Sequence, residues 1–309
     1  MKPRPILAIL LLIVVPPLVG ALIAPMVNAH LITALHRMWP GFEPFNAPEF
    51  RRVMDRCVLA VSFVLLFPAL RLSGLLPRIR GALKISGDRV RVLAVAAMVG
   101  LLSMSCGYLL GWLMGGYRLN SGISAAQILG RAAMFLAGSI FIGLFEETFF
   151  RGFFFGALRP RLNFWLAAII ASLFFASVHF LHPNLPANFD ASRWSSGFAV
   201  MPLMIQGFDP ARDGAFAITL FLMGLTLCRL YETDGHLWRA IGLHGGWVWA
   251  MQLSAFVFNH NWAIMRGLLG PGDYVSQGAL AIVIVAVFFV WAILRGHNSK
   301  VQSSGQENR

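Results

Sequence analysis

Residues 140–159 read IFIGLFEETFFRGFFFGALR and place three charged side chains, Glu146, Glu147 and Arg151, in an otherwise apolar stretch. A helix of this length and composition can lie in a bilayer. A charged side chain at mid-membrane costs about 2.5–3.5 kcal/mol on insertion scales, so three of them together need a structural or functional reason. Glu147 and Arg151 are i,i+4 neighbours on a helix and can neutralise each other. Glu146 points about 100° away from Glu147, so it needs a partner from another helix.

The composition is that of an integral membrane protein. Of the 309 residues, 58% are hydrophobic and only 12% are charged, whereas about a quarter of a soluble domain is charged. The net charge of +12 is therefore expected to mark cytoplasmic loops, and no nucleic-acid partner is predicted. The three cysteines follow no metal-ligand spacing and imply no disulfide framework.

Eight apolar segments could cross a membrane, and most of them approach the roughly 20 residues that a spanning helix requires. They are residues 6–29, 53–70, 92–113, 132–158, 164–181, 215–230, 240–258 and 279–294. The predicted fold class is an all-α, polytopic bundle of about eight transmembrane helices. The first segment has a basic start, but its apolar run is longer than a usual signal core, so we expect a retained helix and not a cleaved signal peptide.

The distribution of Lys and Arg predicts the orientation of these segments. With the N-terminus inside, more basic residues fall on the inner side than on the outer side, so both termini are predicted to be cytoplasmic. We expect the protein in the bacterial inner membrane. The longest loop, residues 182–214, contains four prolines and an apolar core. It is interpreted either as a re-entrant or interfacial lid or as an irregular loop packed on the bundle.

Two histidines lie well inside apolar segments: His179 in SLFFASVHF and His244 in AIGLHGGWVWA. Taken alone, such a histidine is more often a hydrogen-bonded structural residue than a functional one. However, the turn at residues 159–163 lies about fifteen residues after Glu146 and about eighteen before His179, so an antiparallel hairpin brings these two to similar depth. Phe175, four residues before His179, would share its face and shield it. The hairpin thus predicts an acid and a histidine together in a water-poor place.

Glycines surround the second histidine. Gly242, Gly245 and Gly246 flank His244, and such small residues let helices or a substrate backbone approach closely. Counted from the start of its segment, His244 lies shallower than Glu146, unless the helix that carries Glu146 projects beyond the membrane.

These motifs, taken in order, resemble those of a known family. EETFFR matches an EExxxR motif, Phe175 and His179 match FxxxH, and His244 follows in a later helix. The chain thereby resembles the CAAX-protease and bacteriocin-processing family (CPBP, also called Abi), which includes the type II CAAX prenyl endopeptidases. The resemblance divides the chain into residues 1–127 (the first three helices and a basic cytoplasmic loop), 128–258 (a CPBP-like catalytic core of helices four to seven) and 259–309 (the last helix and a polar tail).

The resemblance implies a glutamate-type intramembrane endopeptidase that cuts a membrane-associated protein or peptide. Glu146 and His179 would hold and deprotonate a water molecule, and His244 would donate a hydrogen bond to the developing oxyanion. The supporting residues would be Glu147, Arg151 and Phe175. No cofactor is expected. Two Glu and two His could also hold zinc, but no HExxH-like ligand pair is present, so a zinc-dependent version ranks second.

One position departs from the family pattern. The third motif is usually HxxxN, and its Asn joins the His in stabilising the oxyanion. From His244 the corresponding residue is Val248, which cannot donate a hydrogen bond. The nearby donors Gln252, Trp247 and Trp249 are possible substitutes, but spacing indicates none of them.

Two other functions compete with the protease. A non-catalytic CPBP-fold scaffold or immunity protein is the first, and Val248 favours it. The second is a transporter that uses Glu146, His179 and His244 as a proton relay, since intramembrane acids and histidines also mark such pathways. The sequence has no paired halves with broken helices, which argues against a transporter.

Overall fold

The computed structural model describes residues 3–39, 49–181, 185, 186, 188–261, 266–271 and 274–307. This part of the chain is helical apart from two three-residue strands and the connecting loops, which confirms the all-α prediction. In chain order the elements are α1 (Pro5–Met38), α2 (Phe50–Ser73), α3 (Leu76–Ala82), α4 (Gly87–Leu113), β1 (Tyr117–Leu119), α5 (Ala125–Leu158), α6 (Phe164–Val178), α7 (Ser196–Val200), α8 (Pro210–Asp234), α9 (Trp238–Val257), β2 (Phe258–His260), α10 (Arg266–Leu269) and α11 (Ala279–Glu307).

Helices occupy all eight segments predicted from hydropathy. Six of them are long and apolar enough to cross a membrane: α1, α2, α4, α5, α8 and the Ala279–Gly296 part of α11. The remaining two segments form α6, an apolar helix of 15 residues, and α9, a helix of 20 residues. The protein is therefore a multi-pass integral membrane protein, and the number of eight spans stays a prediction.

Local sequence signals explain where several helices begin and end. Ser124 and Gln127 form a capping box at the start of α5, in which each side chain bonds the backbone N–H of the other. At α8, Asp209 caps the first turn and Pro210 follows it as the first helical residue. The same helix ends at Gly235, which adopts a positive φ of 67° that favours glycine.

The chain divides into two compact units, which consist of Met1–Leu76 with Ser177–Phe208, and of Pro77–Ala176 with Asp209–Arg309. In the first unit, α1 packs along α2 and α7 packs on α1. A glycine at each contact allows this approach. A Cβ on Gly20 of α1 would collide with Val58 of α2, and a Cβ on Gly197 of α7 would collide with Ala21 of α1. The apolar stretch of the predicted 182–214 loop thus forms α7 and the helical turn Met201–Ile205, and α7 packs on α1. Residues 182–184 and 187 of this loop lie outside the described part.

In the second unit, α9 lies against both α4 and α5, and α8 packs on α11. A short antiparallel ribbon adds to this unit, in which Tyr117 of β1 pairs with His260 of β2. The Asp234 carboxylate at the end of α8 accepts hydrogen bonds from Arg239 of α9 and from Arg295 of α11. One buried carboxylate thus ties three helices together at one end of the unit.

Candidate functional site

Close packing of α9 brings His244 to the charged part of α5. A Cβ on Gly245 would lie 3.1 Å from the carbonyl oxygen of Ser139, and one on Gly143 would lie 3.0 Å from that of Ile241. Gly242 and Gly246 face α4 in the same way, where an added Cβ would collide with backbone carbonyl groups. The glycines therefore allow α9 to insert between α4 and α5, as their spacing around His244 predicts.

Glu147 is the centre of the buried polar cluster. Its Oε1 accepts a hydrogen bond from Nη1 of Arg151 at 2.9 Å, which is the i,i+4 ion pair predicted from the sequence. The same oxygen lies 2.8 Å from Nδ1 of His244. The Glu147 side chain is fully buried, and those of Arg151 and His244 nearly so. Oε1 of this desolvated carboxylate thus has two donors, as a buried charge requires. Its Oε2 is also buried but has no hydrogen-bond partner among the described residues.

Aromatic rings enclose the guanidinium of Arg151. Its Cζ lies 4.4 Å from the ring centre of Phe175 on α6 and 5.8 Å from that of Phe150. The attraction between a cation and an aromatic face strengthens where water is excluded. Phe175 also meets the imidazole of His244 edge to face, with ring centres 5.9 Å apart. Phe175 thus packs on both partners of Glu147, a placement that its predicted role beside His179 did not include.

Glu146 differs from its neighbour in exposure and in contacts. Its side chain is 23% exposed, against 0% for Glu147. Its Oε2 lies 3.8 Å from Nε2 of His244, which is beyond a direct hydrogen bond. Within the part of the chain that the structure describes, this Oε2 has no hydrogen-bond partner. The Glu147 side chain is therefore fully buried, whereas the Glu146 side chain is partly exposed, although its Oε2 beside the imidazole is itself buried.

The two carboxylates together orient His244. Because Nδ1 is directed at a carboxylate oxygen of Glu147, it carries a proton and donates. Nε2 is then left facing Glu146. A carboxylate therefore lies beside each nitrogen of the imidazole.

An irregular stretch of α5 begins immediately after Glu147. Thr148–Phe155 has the wider π-helical turn, and every residue in it is buried. Such π segments occur frequently at functional sites. Thr148 bonds back to the carbonyl oxygen of Leu144 through its hydroxyl at 2.6 Å. The change of helical period therefore lies directly beside the charged cluster.

The prediction that His179 lies within a helix spanning residues 164–181 is wrong. α6 ends at Val178. The N–H of Phe180 then bonds to the carbonyl of Ser177, three residues back, so the chain turns at this point. His179 is half-buried in that turn.

His179 also belongs to a different compact unit from the other predicted catalytic residues. Ser177–Phe208 is part of the first unit, whereas Glu146 and His244 lie in the second. The approach of His179 to Glu146 therefore stays a prediction from the hairpin geometry.

The structure limits the donors that could replace the absent Asn at residue 248. Val248 is half-buried on α9. The indole N–H of Trp247 donates to Oγ of Ser103 at 3.1 Å, and that of Trp249 to the carbonyl oxygen of Ala132 at 3.0 Å. An indole has one N–H, so both are engaged away from His244. Of the three substitutes considered from the sequence, Gln252 is the one left.

The contact between Glu147 and His244 is the part of the cluster that sequence reasoning missed. In the sequence, Arg151 already provides a partner for the charge of Glu147, so no further contact was predicted for this carboxylate. A carboxylate can, however, accept several hydrogen bonds. The depth count also separated His244 from the acidic pair, whereas the contact with Glu147 places the two side chains at the same level of the unit. A signal was present in the sequence, since the glycines around His244 predict that α9 approaches a neighbouring helix closely.

Comparison with known protein families gives a match to part of the chain. Residues 128–250 match the family model described as type II CAAX prenyl endopeptidase Rce1-like. The match spans the three motifs, from before Glu146 to beyond His244. The chain has no significant match among curated proteins and none among solved structures.

Proposed function

We propose that this chain, which belongs to the CAAX protease (CPBP) family through residues 128–250, hydrolyses a peptide bond in a membrane-associated protein or peptide by means of an activated water molecule. The family is one of intramembrane proteases, so the substrate is expected to reach the site from the bilayer. The bacterial inner membrane is the location that we propose for this reaction.

The observation that carries the proposal is the difference between the two adjacent carboxylates. Glu147 is buried and directs the imidazole of His244, whereas Glu146 is partly exposed beside the other ring nitrogen. This arrangement supports separate roles, in which Glu147 positions His244 and Glu146 is free to exchange a proton. Two like groups held in different environments are a common basis for acid–base assignments in enzymes.

The proposed reaction uses Glu146 as the general base. Glu146 and His179 hold a water molecule, and Glu146 takes one of its protons as the oxygen forms a bond to the carbonyl carbon of the substrate. The carbonyl oxygen becomes an oxyanion, which accepts a hydrogen bond from Nε2–H of His244. When the C–N bond breaks, the proton held by Glu146 passes to the leaving amine. The carboxylate is then ready for another cycle.

The two histidines provide a direct test of this scheme. We expect His179→Ala and His244→Ala each to lower the cleavage rate by about 10²-fold or more, because a positioned catalytic group or oxyanion donor contributes that much. The double variant should be little worse than the more impaired single variant, since groups that act as a unit are non-additive. The measurement is the initial rate of product formation by purified variants. The matched control is His36→Ala, which removes an exposed histidine of α1.

A wild-type rate in the double histidine variant would contradict the scheme. A rate loss that merely follows membrane abundance would mean that the histidines stabilise the fold and take no part in the reaction.

Zinc remains the second version of the mechanism. Among the described residues, no three His, Cys, Asp or Glu side chains are grouped so as to hold a metal ion. In the cluster itself, Oε1 of Glu147 already accepts hydrogen bonds from two side chains. This oxygen is therefore committed to protein donors, and a reaction that relies on protein groups alone stays our first proposal.

We expect the purified enzyme to keep its cleavage rate after exhaustive treatment with a strong chelator. The check is the rate before and after chelation, together with the metal content of the protein. Stoichiometric zinc, with activity lost on its removal and restored on its return, would support the metalloprotease version instead.

A non-catalytic scaffold is the second candidate function, and one observation favours it. Val248 stands where the family has Asn, and the indole groups beside it donate elsewhere. Loss of one oxyanion donor costs about 10²–10³ in rate. A scaffold would keep the Glu147–Arg151–His244 cluster for stability alone, so its cellular role would survive loss of the Glu146 carboxylate.

A further inference from the structure

A groove that the proposed reaction does not use lies on the second unit. Its volume is about 380 Å³, and its walls come from α4, α9 and α11. The apolar lining includes Val95, Val99, Leu243, Val287 and Phe288. Val95 and Val287 are more than half exposed, so the groove opens on the side of the unit that lipid would cover. The shape and chemistry suit a hydrocarbon chain.

One end of this groove is positively charged. Arg239 is the charged residue of the lining, and its guanidinium shares the Asp234 carboxylate with that of Arg295. Two guanidinium groups and a single carboxylate together carry a net charge of +1. Trp291 lines the same groove and is 41% exposed. Tryptophan is enriched where the hydrocarbon of a membrane meets the head groups.

The position of the charge agrees with the predicted orientation. Arg239 and Arg295 lie on the side that the distribution of basic residues predicts to be cytoplasmic. That leaflet carries anionic lipids, and basic pockets between transmembrane helices on this side bind anionic head groups. An arginine can also extend along apolar surface and keep its guanidinium at the interface.

We propose that the groove binds an anionic phospholipid, with one acyl chain between α4, α9 and α11 and its phosphate at Arg239 and Arg295. The charge at the end of the groove selects this occupant over a zwitterionic lipid of the same chain length. A phosphate pairs well with a guanidinium, because two parallel N–H donors match two of its oxygens. The site goes beyond the proposed protease function and does not depend on it.

Lipid binding can be measured without any substrate. The full chain, purified in detergent, is titrated with phosphatidylglycerol or with phosphatidylcholine of identical acyl chains. Bound lipid is counted by native mass spectrometry. We expect one phosphatidylglycerol to bind about tenfold more tightly than phosphatidylcholine, since a charge-assisted hydrogen bond contributes roughly that factor. Equal affinities for the two lipids would overturn the proposal.

Two pairs of variants locate the site. Arg239→Gln should lower phosphatidylglycerol affinity about tenfold, whereas Arg91→Gln removes an exposed charge of α4 outside the groove and should change little. Val287→Trp should fill the groove and abolish binding. Val283→Trp is its control, because Val283 lies one turn earlier on α11, is equally exposed and does not line the groove.

Each pair has an outcome that overturns the proposal. If Arg91→Gln weakens binding as much as Arg239→Gln, lipid is attracted by general surface charge and not by this site. If Val287→Trp and Val283→Trp bind lipid equally, the acyl chain does not occupy the groove. Val287→Trp leaves the Arg239–Asp234 pair intact, so it remains informative even if Arg239→Gln lowers the amount of folded protein.

Discussion

Glu146→Gln is expected to abolish peptide-bond cleavage and to leave membrane insertion and abundance nearly unchanged. Glutamine keeps the size of the side chain and a carbonyl acceptor, but it cannot take a proton from water. The Glu146 side chain is partly exposed, and its nearest charged partner in the described structure is 3.8 Å away, so its loss breaks no buried hydrogen bond. The checks are the rate of product formation and the amount of folded protein in the membrane.

A matched control is available on the same unit. Glu232 pairs with Arg159 at 2.9 Å, with both side chains partly exposed. Ion pairs of this kind contribute about 0–1 kcal/mol. Glu232→Gln should therefore retain both abundance and activity. If the Glu146→Gln variant cleaves as fast as the Glu232→Gln variant, Glu146 is not the general base.

Glu147→Gln should have a different and broader effect, with lower abundance and lower activity together. It leaves the guanidinium of Arg151 charged and deeply buried without its carboxylate. Breaking a buried ion pair by removing one partner costs about 3–5 kcal/mol, which is a large part of the stability of a typical domain. It also removes the charged acceptor that orients Nδ1 of His244. The measurements are the thermal midpoint, the membrane abundance and the rate per folded molecule.

A double variant separates these two effects. Glu147→Gln combined with Arg151→Met removes both charges, so no unpaired charge is left in the core. We expect abundance to recover while the rate per folded molecule stays low, because His244 still lacks its carboxylate. Recovery of the rate as well would mean that Glu147 serves only to neutralise Arg151.

The helices could be predicted from the sequence because a bilayer imposes one simple requirement. Every segment that crosses it must satisfy its backbone groups internally and present apolar side chains. The run at residues 92–113 met that requirement and is part of α4. The end of α6 was harder to predict, since the apolar residues Phe180 and Leu181 follow His179 but the chain turns at His179 and Phe180.

In the candidate site, contacts within one helix were predictable and contacts between helices were less so. Glu147 and Arg151 are four residues apart on α5, so the helical period alone brings them together. The contact of Glu147 with His244 depends on how far α5 extends and on how closely glycines let α9 approach. Neither quantity follows from hydropathy. The hydrogen bond from the Trp247 indole to Ser103 of α4 likewise cannot be predicted without knowing how α4 and α9 pack.

The central claim, that Glu146 makes this chain a protease, is tested most directly by comparing the termini of membrane proteins in three cell populations. They express the wild-type chain, Glu146→Gln or the control Glu232→Gln at equal abundance. We predict that at least one membrane-protein terminus is present with the wild type and with Glu232→Gln. In Glu146→Gln cells the same terminus should be absent while the uncut precursor accumulates. Identical termini in all three, with Glu146→Gln still fulfilling the cellular role, would contradict the claim and favour the scaffold.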